Sequence, residues 1–146
     1  MASSPFVGHR MNALLPSGDS AEGQRVRAWI ASAQVATLCT LLDDERARGW
    51  PYGTLLPYTL GADGRIEIVI SALAVHTKNL LVDNRASLLI AEPSGDPQAG
   101  WRITLVGAMH KIADDARGPD LHGFSRWAFD VATARWIAGF GAMGWL

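Results

Sequence analysis

The sequence predicts a mainly β protein, in which six antiparallel strands close into a barrel with short helices around it. Three observations predict this fold. Short apolar or alternating segments recur along the chain, an Asp-Gly turn joins two of them as a hairpin, and the helical segments are too short for the crossovers of a parallel sheet. A chain of 146 residues is long enough for one such domain with a sizeable core.

The order of the elements follows from hydrophobic periodicity. Residues 1–20 contain Pro, Gly and Ser and are predicted to be a flexible arm, while residues 21–146 are predicted to form the barrel domain. Ser20 is the predicted N-cap of the first helix, and Gly107 is predicted to form a bulge. The predicted helices are 21–32, 76–84 and 121–129, and the predicted strands are 35–42, 52–60, 65–72, 86–91, 101–112 and 131–138. The first strand is apolar on both faces and is therefore predicted to be buried on both.

Composition excludes several classes of function. The net charge of −1 provides no electrostatic attraction to nucleic acid or to an anionic membrane surface. No apolar run approaches the ~20 residues of a membrane span, and the N-terminus lacks the pattern of a signal peptide, so the predicted location is the cytoplasm. The single cysteine, Cys39, suits a reducing compartment and is predicted to be an inert core thiol. His110 and His122 lack metal-ligand spacing and are predicted to be surface or strand-edge residues, so no metal site is predicted.

The segment 71–79 carries the strongest functional signal. A strand ends there and a helix begins, so free backbone N–H groups and the helix dipole favour an anion. Ser71, His76, Thr77 and Lys78 add side-chain donors, which together predict a phosphate site. The alternative is structural: His76 and Thr77 cap the helix, and Ser71 satisfies backbone groups at the strand end.

The order and spacing of several motifs resemble one known family. The motifs are Pro51-Tyr52-Gly53, Leu56-Pro57-Tyr58, Ser71-x-Leu73-Ala74-x-His76-Thr77-x-Asn79-Leu80, Arg85-Ala86-Ser87-Leu88-Leu89, Arg102-x-Thr104-Leu105-x-Gly107 and Trp136-Ile137-x-Gly139-Phe140-Gly141. From about residue 25 onward, the chain resembles the pyridoxamine 5′-phosphate oxidase-like FMN-binding split-barrel family, and most closely its haem-utilisation branch.

The resemblance implies a six-stranded antiparallel split barrel that forms a homodimer, with two FMN molecules at the interface. It further implies an oxidoreductase that acts on an unidentified small molecule, and it assigns no catalytic residue. The cofactor-binding residues it implies are Ser71, His76, Thr77, Lys78 and Asn79 near the phosphate, Leu56, Pro57 and Tyr58 along the ring, and Arg102 at the phosphate or ring edge.

Two alternatives accompany this interpretation. The first is haem binding and breakdown as in the haem-utilisation branch, against which stands the lack of a histidine in the C-terminal tail. The second is a cofactor-free dimer module, suggested by the short segment 114–130 before the last strand. Arg102 can also be a solvated strand residue, and Tyr58 and Trp101 are interpreted as core or dimer aromatics. With six tryptophans in a small chain, some are predicted to lie at a dimer interface.

Overall fold

The computed structural model describes residues 20–93, 95–114, 123–139 and 141–146. Its elements are α1 (Ala21–Ser32), β1 (Val35–Leu41), β2 (Pro51–Pro57), β3 (Thr59–Leu60), β4 (Ile66–Ser71), α2 (Val75–Val82), β5 (Arg85–Ala91), β6 (Trp101–Asp114), β7 (Phe124–Ala138) and β8 (Met143–Trp145). The predicted arm lies outside the described residues except for Ser20. That residue is the predicted N-cap, since its Oγ accepts a hydrogen bond from the Gly23 N–H at 2.9 Å.

All strand pairings are antiparallel, and the main path of the sheet is β2-β1-β5-β6-β7-β4-β3, with β8 added beside β7. The two ends of this path, β2 and β3, belong to one extended segment and are separated only by Tyr58. β2 pairs with β1, and β3 pairs with β4. The sheet therefore curls back on its starting strand, and the predicted mainly β split barrel is confirmed.

The predicted helix at 121–129 is wrong for the residues that the structure describes there. Residues 124–129 belong to β7, which runs to Ala138 and begins earlier than the predicted sixth strand. Ser125, Trp127 and Phe129 alternate toward the core, and β4 and β6 pair with this segment on either side. Period-two burial and pairing on both edges outweigh the weak local helical signal.

The predicted bulge at Gly107 is confirmed by a shift in the β6–β7 register between Val106 and Gly107. There β7 carries an extra residue, Ala132, opposite this step. A Cβ on Gly107 would lie 1.9 Å from the carbonyl oxygen of Asp130, so the two backbones approach more closely than any side chain allows.

The helices cover opposite ends of the barrel. Near the start of β1, α1 buries Val26 and Ile30 in the core, and the Tyr58 hydroxyl donates to the Ile30 carbonyl at 2.5 Å. Near the end of β1, α2 is tied down through Asn79, whose side-chain amide donates to Thr40 Oγ1 at 3.0 Å. The strand of about 20 Å between them separates the two ends.

Four of the six tryptophans pack against other residues of the same chain. Trp127 and Trp136 are buried, and Trp29 stacks on Trp101 with ring centroids 5.3 Å apart. The Arg25 guanidinium lies 4.7 Å from the Trp136 ring centroid and so joins α1 to β7. Two tryptophans remain largely exposed, namely Trp50 and Trp145.

Replacing Gly107 by Ala is expected to lower the free energy of unfolding by about 3 kcal/mol, because the new Cβ displaces backbone rather than a flexible side chain. Urea unfolding monitored by circular dichroism measures the loss. Gly53→Ala is the matched control, since its Cβ would meet only side-chain atoms at 3.5 Å and 3.8 Å. Equal stability of the two variants would contradict the bulge constraint.

Candidate functional site

The segment 71–79 forms the turn between the end of β4 and the first turns of α2. Ser71 is the last residue of β4 and lies on the side opposite the buried isoleucines of that strand, as the alternation predicts. Its backbone carbonyl accepts from the Ala74 N–H at 3.2 Å. Ser71, His76, Thr77 and Lys78 therefore lie where a strand ends and a helix begins, as the sequence predicts.

The two hydroxyl groups of this turn are engaged inside the chain. Thr77, which is buried, donates its hydroxyl to the Ser71 carbonyl at 2.6 Å. The Ser71 hydroxyl accepts from the Leu73 N–H at 3.2 Å. Both side chains shape the strand-to-helix turn, which is the structural role that the sequence left open for Ser71.

Asn79 holds α2 against the end of β1. Its side chain is almost fully buried, with 1% of the residue exposed. In addition to the bond to Thr40, its Oδ1 accepts from the Asp43 N–H at 2.9 Å. A buried amide with partners at both ends is an anchor for the helix.

The N-terminus of α2 remains suited to an anion. The N-cap residue Ala74 makes no side-chain capping bond, and the first intrahelical bond runs from the Lys78 N–H to the Ala74 carbonyl. The N–H groups of Val75, His76 and Thr77 thus precede the helical ladder. Lys78 is exposed, and burial lowers the pKa of half-buried His76, so its imidazole is biased toward the neutral form.

The remaining predicted residues lie at the other end of the barrel. Leu56 and Tyr58 are buried core residues, and burial raises the pKa of Tyr58 to about 12. Pro57 is exposed beside Val35 at the start of β1. Arg102, near the start of β6, donates through Nη1 to the Pro97 carbonyl at 2.8 Å and so braces the loop before that strand. Within one chain, these residues are not brought together with 71–79.

A large apolar surface, here called the outer face, was missed by sequence reasoning. It is the side of β2, β1, β5, β6, β7 and β8 that points away from the core. One row across it, in register order, is Leu55, Thr37, Leu89, Thr104, Arg135 and Trp145. Its exposed apolar side chains are Val35, Leu55, Leu89, Val106, Met143 and Trp145, of which Leu55 is 72% exposed.

The sequence contained a signal for this surface. The first strand is apolar on both faces and was predicted to be buried on both, yet only one side of β1 is buried within the chain. Val35, on the other side, is 47% exposed. The apolar second side of β1 indicates a surface that the chain alone leaves uncovered.

A polar cluster on another part of the barrel exterior also went unpredicted. Asp130 on β7 accepts from Arg65 Nη1 at 3.0 Å, and its second oxygen lies 3.1 Å from His110 Nε2 on β6. Arg65 also donates to Asp63 at 2.7 Å. The residues are distant in sequence, so only the pairing of the strands shows that they meet.

The described ranges contain neither a membrane-spanning helix nor a cluster of metal-ligating side chains. No helix within them is long and apolar enough to cross a membrane. The same residues contain no group of three or more His, Cys, Asp or Glu side chains placed to hold a metal ion.

Most of the chain matches the model of a known family. The family model described as pyridoxamine 5′-phosphate oxidase matches residues 23–143, so the chain belongs to the pyridoxamine 5′-phosphate oxidase family. This confirms the resemblance seen in the sequence.

Individual relatives are similar over part or most of the chain. The chloroplastic non-canonical haem oxygenase HOZ of Arabidopsis thaliana is 40% identical over 73 residues, covering 49% of this chain and 22% of that protein. A haem-binding protein from Mycobacterium smegmatis has a solved structure that is 31% identical, with a TM-score of 0.75, over 87% of this chain and 58% of that one. ChuZ of Campylobacter jejuni, 16% identical with a TM-score of 0.71 over 84% of this chain and 58% of its own, shares the fold. The chain therefore spans less than two thirds of the length of each of these relatives.

Replacing Asn79 by Ala is expected to lower the free energy of unfolding by about 2 kcal/mol, because buried Thr40 and the Asp43 N–H lose their partner. Urea unfolding measures the loss, and amide hydrogen exchange should show α2 opening first. Lys78→Ala, an exposed change on the same helix, is the control and should cost no more than about 0.5 kcal/mol. Unchanged protection of α2 in the Asn79 variant would contradict the anchoring role.

The lowered pKa of His76 makes stability depend on pH. The folded chain protonates His76 less readily than the unfolded chain, whose histidine has the ordinary value of 6.5. The free energy of unfolding therefore falls as the pH drops below that value, and above it His76 contributes no pH dependence. His76→Gln is expected to lose less stability than the parent between about pH 7 and pH 5 in denaturant titrations. Identical losses in the two proteins would contradict this.

Proposed function

We propose that this chain is a haem-binding protein of the pyridoxamine 5′-phosphate oxidase family that acts as a homodimer. The observation that carries the proposal is the use of two predicted flavin-site side chains inside the chain. Thr77 donates its hydroxyl to the Ser71 carbonyl, and the buried Asn79 amide donates to Thr40 and anchors α2. The side-chain donors of Thr77 and Asn79 are therefore not available to a flavin phosphate.

Similarity to haem proteins supports the same proposal. The plant relative is a haem oxygenase and the mycobacterial relative a haem-binding protein, at 40% and 31% identity respectively. The resemblance to the haem-utilisation branch in the sequence agrees with them. Haem supplies a redox-active iron when bound, and the protein sets its ligand and surroundings.

The residues of this chain include suitable iron ligands. A haem iron needs at least one protein donor, commonly an imidazole. Two histidines lie in the described part of the chain, His76 at the start of α2 and His110 on β6. The missing histidine in the C-terminal tail therefore does not leave the chain without a candidate ligand.

FMN binding is the second candidate, favoured by one specific observation. The N-terminus of α2 has no side-chain cap, and its three leading N–H groups and Lys78 would suit a phosphate. In that case the chain would be a flavin-dependent oxidoreductase acting on an unidentified small molecule. Backbone amides, rather than the hydroxyls of Ser71 and Thr77, would supply most of the binding.

The outer face supports the homodimer. It spans six strands about 4.8 Å apart, which gives it a width of roughly 24 Å. Exposed Leu, Val, Met and Trp side chains dominate it, and its Arg135 guanidinium lies 5.3 Å from the ring centroid of Trp145. Stable interfaces bury on the order of 800 Å² per partner with an apolar centre. A second copy of the chain is the proposed partner, with the cofactor site at the margin of the interface.

A ligand-retention experiment decides between the cofactors. The purified chain is mixed with ferric haem or with FMN, passed through gel filtration, and measured by visible absorption. We expect a retained and shifted Soret band with haem and only weak retention of flavin. Retained flavin that is lost in Lys78→Ala, without haem binding, would establish the second candidate. Retention of neither ligand would support a cofactor-free dimer module.

Replacing Leu89 by Glu is expected to convert the dimer into a monomer, because it buries a charge at the centre of the outer face. Sedimentation velocity measures the oligomeric state. Leu81→Glu is the matched control, since Leu81 is also exposed but lies on α2, away from the outer face. A monomer caused by the Leu81 change alone would place the interface on α2 instead.

A further inference from the structure

We propose that two copies of the outer face close on a carboxylate-bearing ligand, and that Arg135 holds the carboxylate. This inference rests on the proposed haem-binding function and adds two things to it. It names the residue that binds a propionate of the haem, and it makes ligand binding the step that drives dimerisation.

The first step of the argument is the charge of the outer face. The strand segments that build it contain arginines but no aspartate or glutamate, and these segments are 35–41, 51–57, 85–91, 101–106, 133–138 and 143–145. The arginines are Arg85, Arg102 and Arg135. Although the whole chain has a net charge of −1, every charged side chain in these segments is positive.

The second step is the distinction of Arg135 from the other two arginines. Arg85 Nη2 lies 2.7 Å from Asp83 Oδ2, and Arg102 donates to the Pro97 carbonyl. The Arg135 guanidinium instead contacts the ring of Trp145, at 5.3 Å from the ring centroid. Within the part of the chain that the structure describes, no carboxylate pairs with Arg135. Arg135 therefore carries a charge that the single chain leaves without a counter-charge.

The third step is the effect of a second copy. A two-fold symmetric dimer buries the same surface of both chains, so the partner brings a second apolar face without an acidic side chain. Removing the Arg135 guanidinium from water without a counter-charge opposes association. An anion enclosed between the two copies supplies the missing charge, and an arginine binds a carboxylate through two parallel hydrogen bonds. Ligand binding and dimerisation therefore favour each other.

The fourth step is the fit of a flat apolar ligand. Leu89, Thr104 and Arg135 lie on three successive strands in one row of the outer face. Leu89 and Arg135 are therefore about 10 Å apart across the sheet. Leu89 and its neighbour Val106 are 43% and 40% exposed and offer apolar contacts. A flat ligand that covers them brings a carboxylate at its edge to Arg135, and haem, with its two propionates, has this chemistry.

The test compares ferric haem with haem dimethyl ester, which lacks the free carboxylates. Titrations followed by the Soret band measure binding, and sedimentation velocity measures the dimer with and without ligand. The proteins are the full chain, Arg135→Gln, the conservative variant Arg135→Lys and the matched control Arg85→Gln. Arg85 is a suitable control because Asp83 already balances its charge.

Haem is expected to promote dimerisation of the parent, and Arg135→Gln is expected to bind haem at least about tenfold more weakly, since a hydrogen bond between charged groups is lost. The ester should bind the parent and Arg135→Gln alike. Without ligand, Arg135→Gln should form the tighter dimer, because its interface no longer buries an uncompensated charge. Arg135→Lys should keep haem-promoted dimerisation, and Arg85→Gln should behave like the parent.

The outcomes separate the two proposals. Equal haem binding by the parent and Arg135→Gln overturns the role of Arg135 and leaves the haem-binding function standing. An equal loss of haem and of its ester in Arg135→Gln shows a merely structural role for the arginine and also overturns the inference. A parent chain that binds no haem ends the proposed function and the inference together. Circular dichroism of each variant checks that the fold is retained.

Discussion

The architecture depends on one segment that pairs with two different strands. β2 bonds to β1, and after Tyr58 the same segment continues as β3 and bonds to β4. Tyr58 secures this switch twice, through its N–H to the Gln34 carbonyl and its hydroxyl to the Ile30 carbonyl. Closing the sheet in this way leaves the two ends of the barrel open, and α1 and α2 cover them with apolar side chains and one buried amide.

The way in which α2 covers its end of the barrel determines which polar groups of the candidate site can bind a ligand. Burying polar groups is costly unless they find partners, and at the β4–α2 turn the partners are within the chain. The Thr77 hydroxyl is therefore already bonded to the Ser71 carbonyl, and the Asn79 amide is already bonded to Thr40 on β1. The backbone N–H groups at the start of α2 remain suited to an anion such as the phosphate of FMN. Haem instead needs a side-chain ligand for its iron.

The barrel exterior has two contrasting regions. The outer face exposes apolar side chains on β2, β1, β5, β6 and β8, whereas the region built by β4 and the adjoining parts of β6 and β7 carries Arg65, Asp130 and His110. The bulge at Gly107 lies where β6 passes from one region to the other. A bend at this position lets one strand belong to both the outer face and the polar cluster.

Sequence patterns by themselves determined the class of fold, the family, the bulge and the strand-to-helix turn at 71–79. Each of these depends on local periodicity, turn chemistry or ordered motifs, which a single sequence displays. The helix predicted at 121–129 was wrong because strand pairing on both edges decided the conformation of its described part.

Only the tertiary structure decided which side chains are available to bind a ligand. It placed Leu56, Tyr58 and Arg102 at the barrel end opposite Ser71 and Thr77, and it engaged both hydroxyls of the turn internally. It also brought together Arg65, His110 and Asp130, which no spacing in the sequence connects. Hydrogen-bond partners and exposure depend on long-range strand register, and register is set by the packing of the whole barrel.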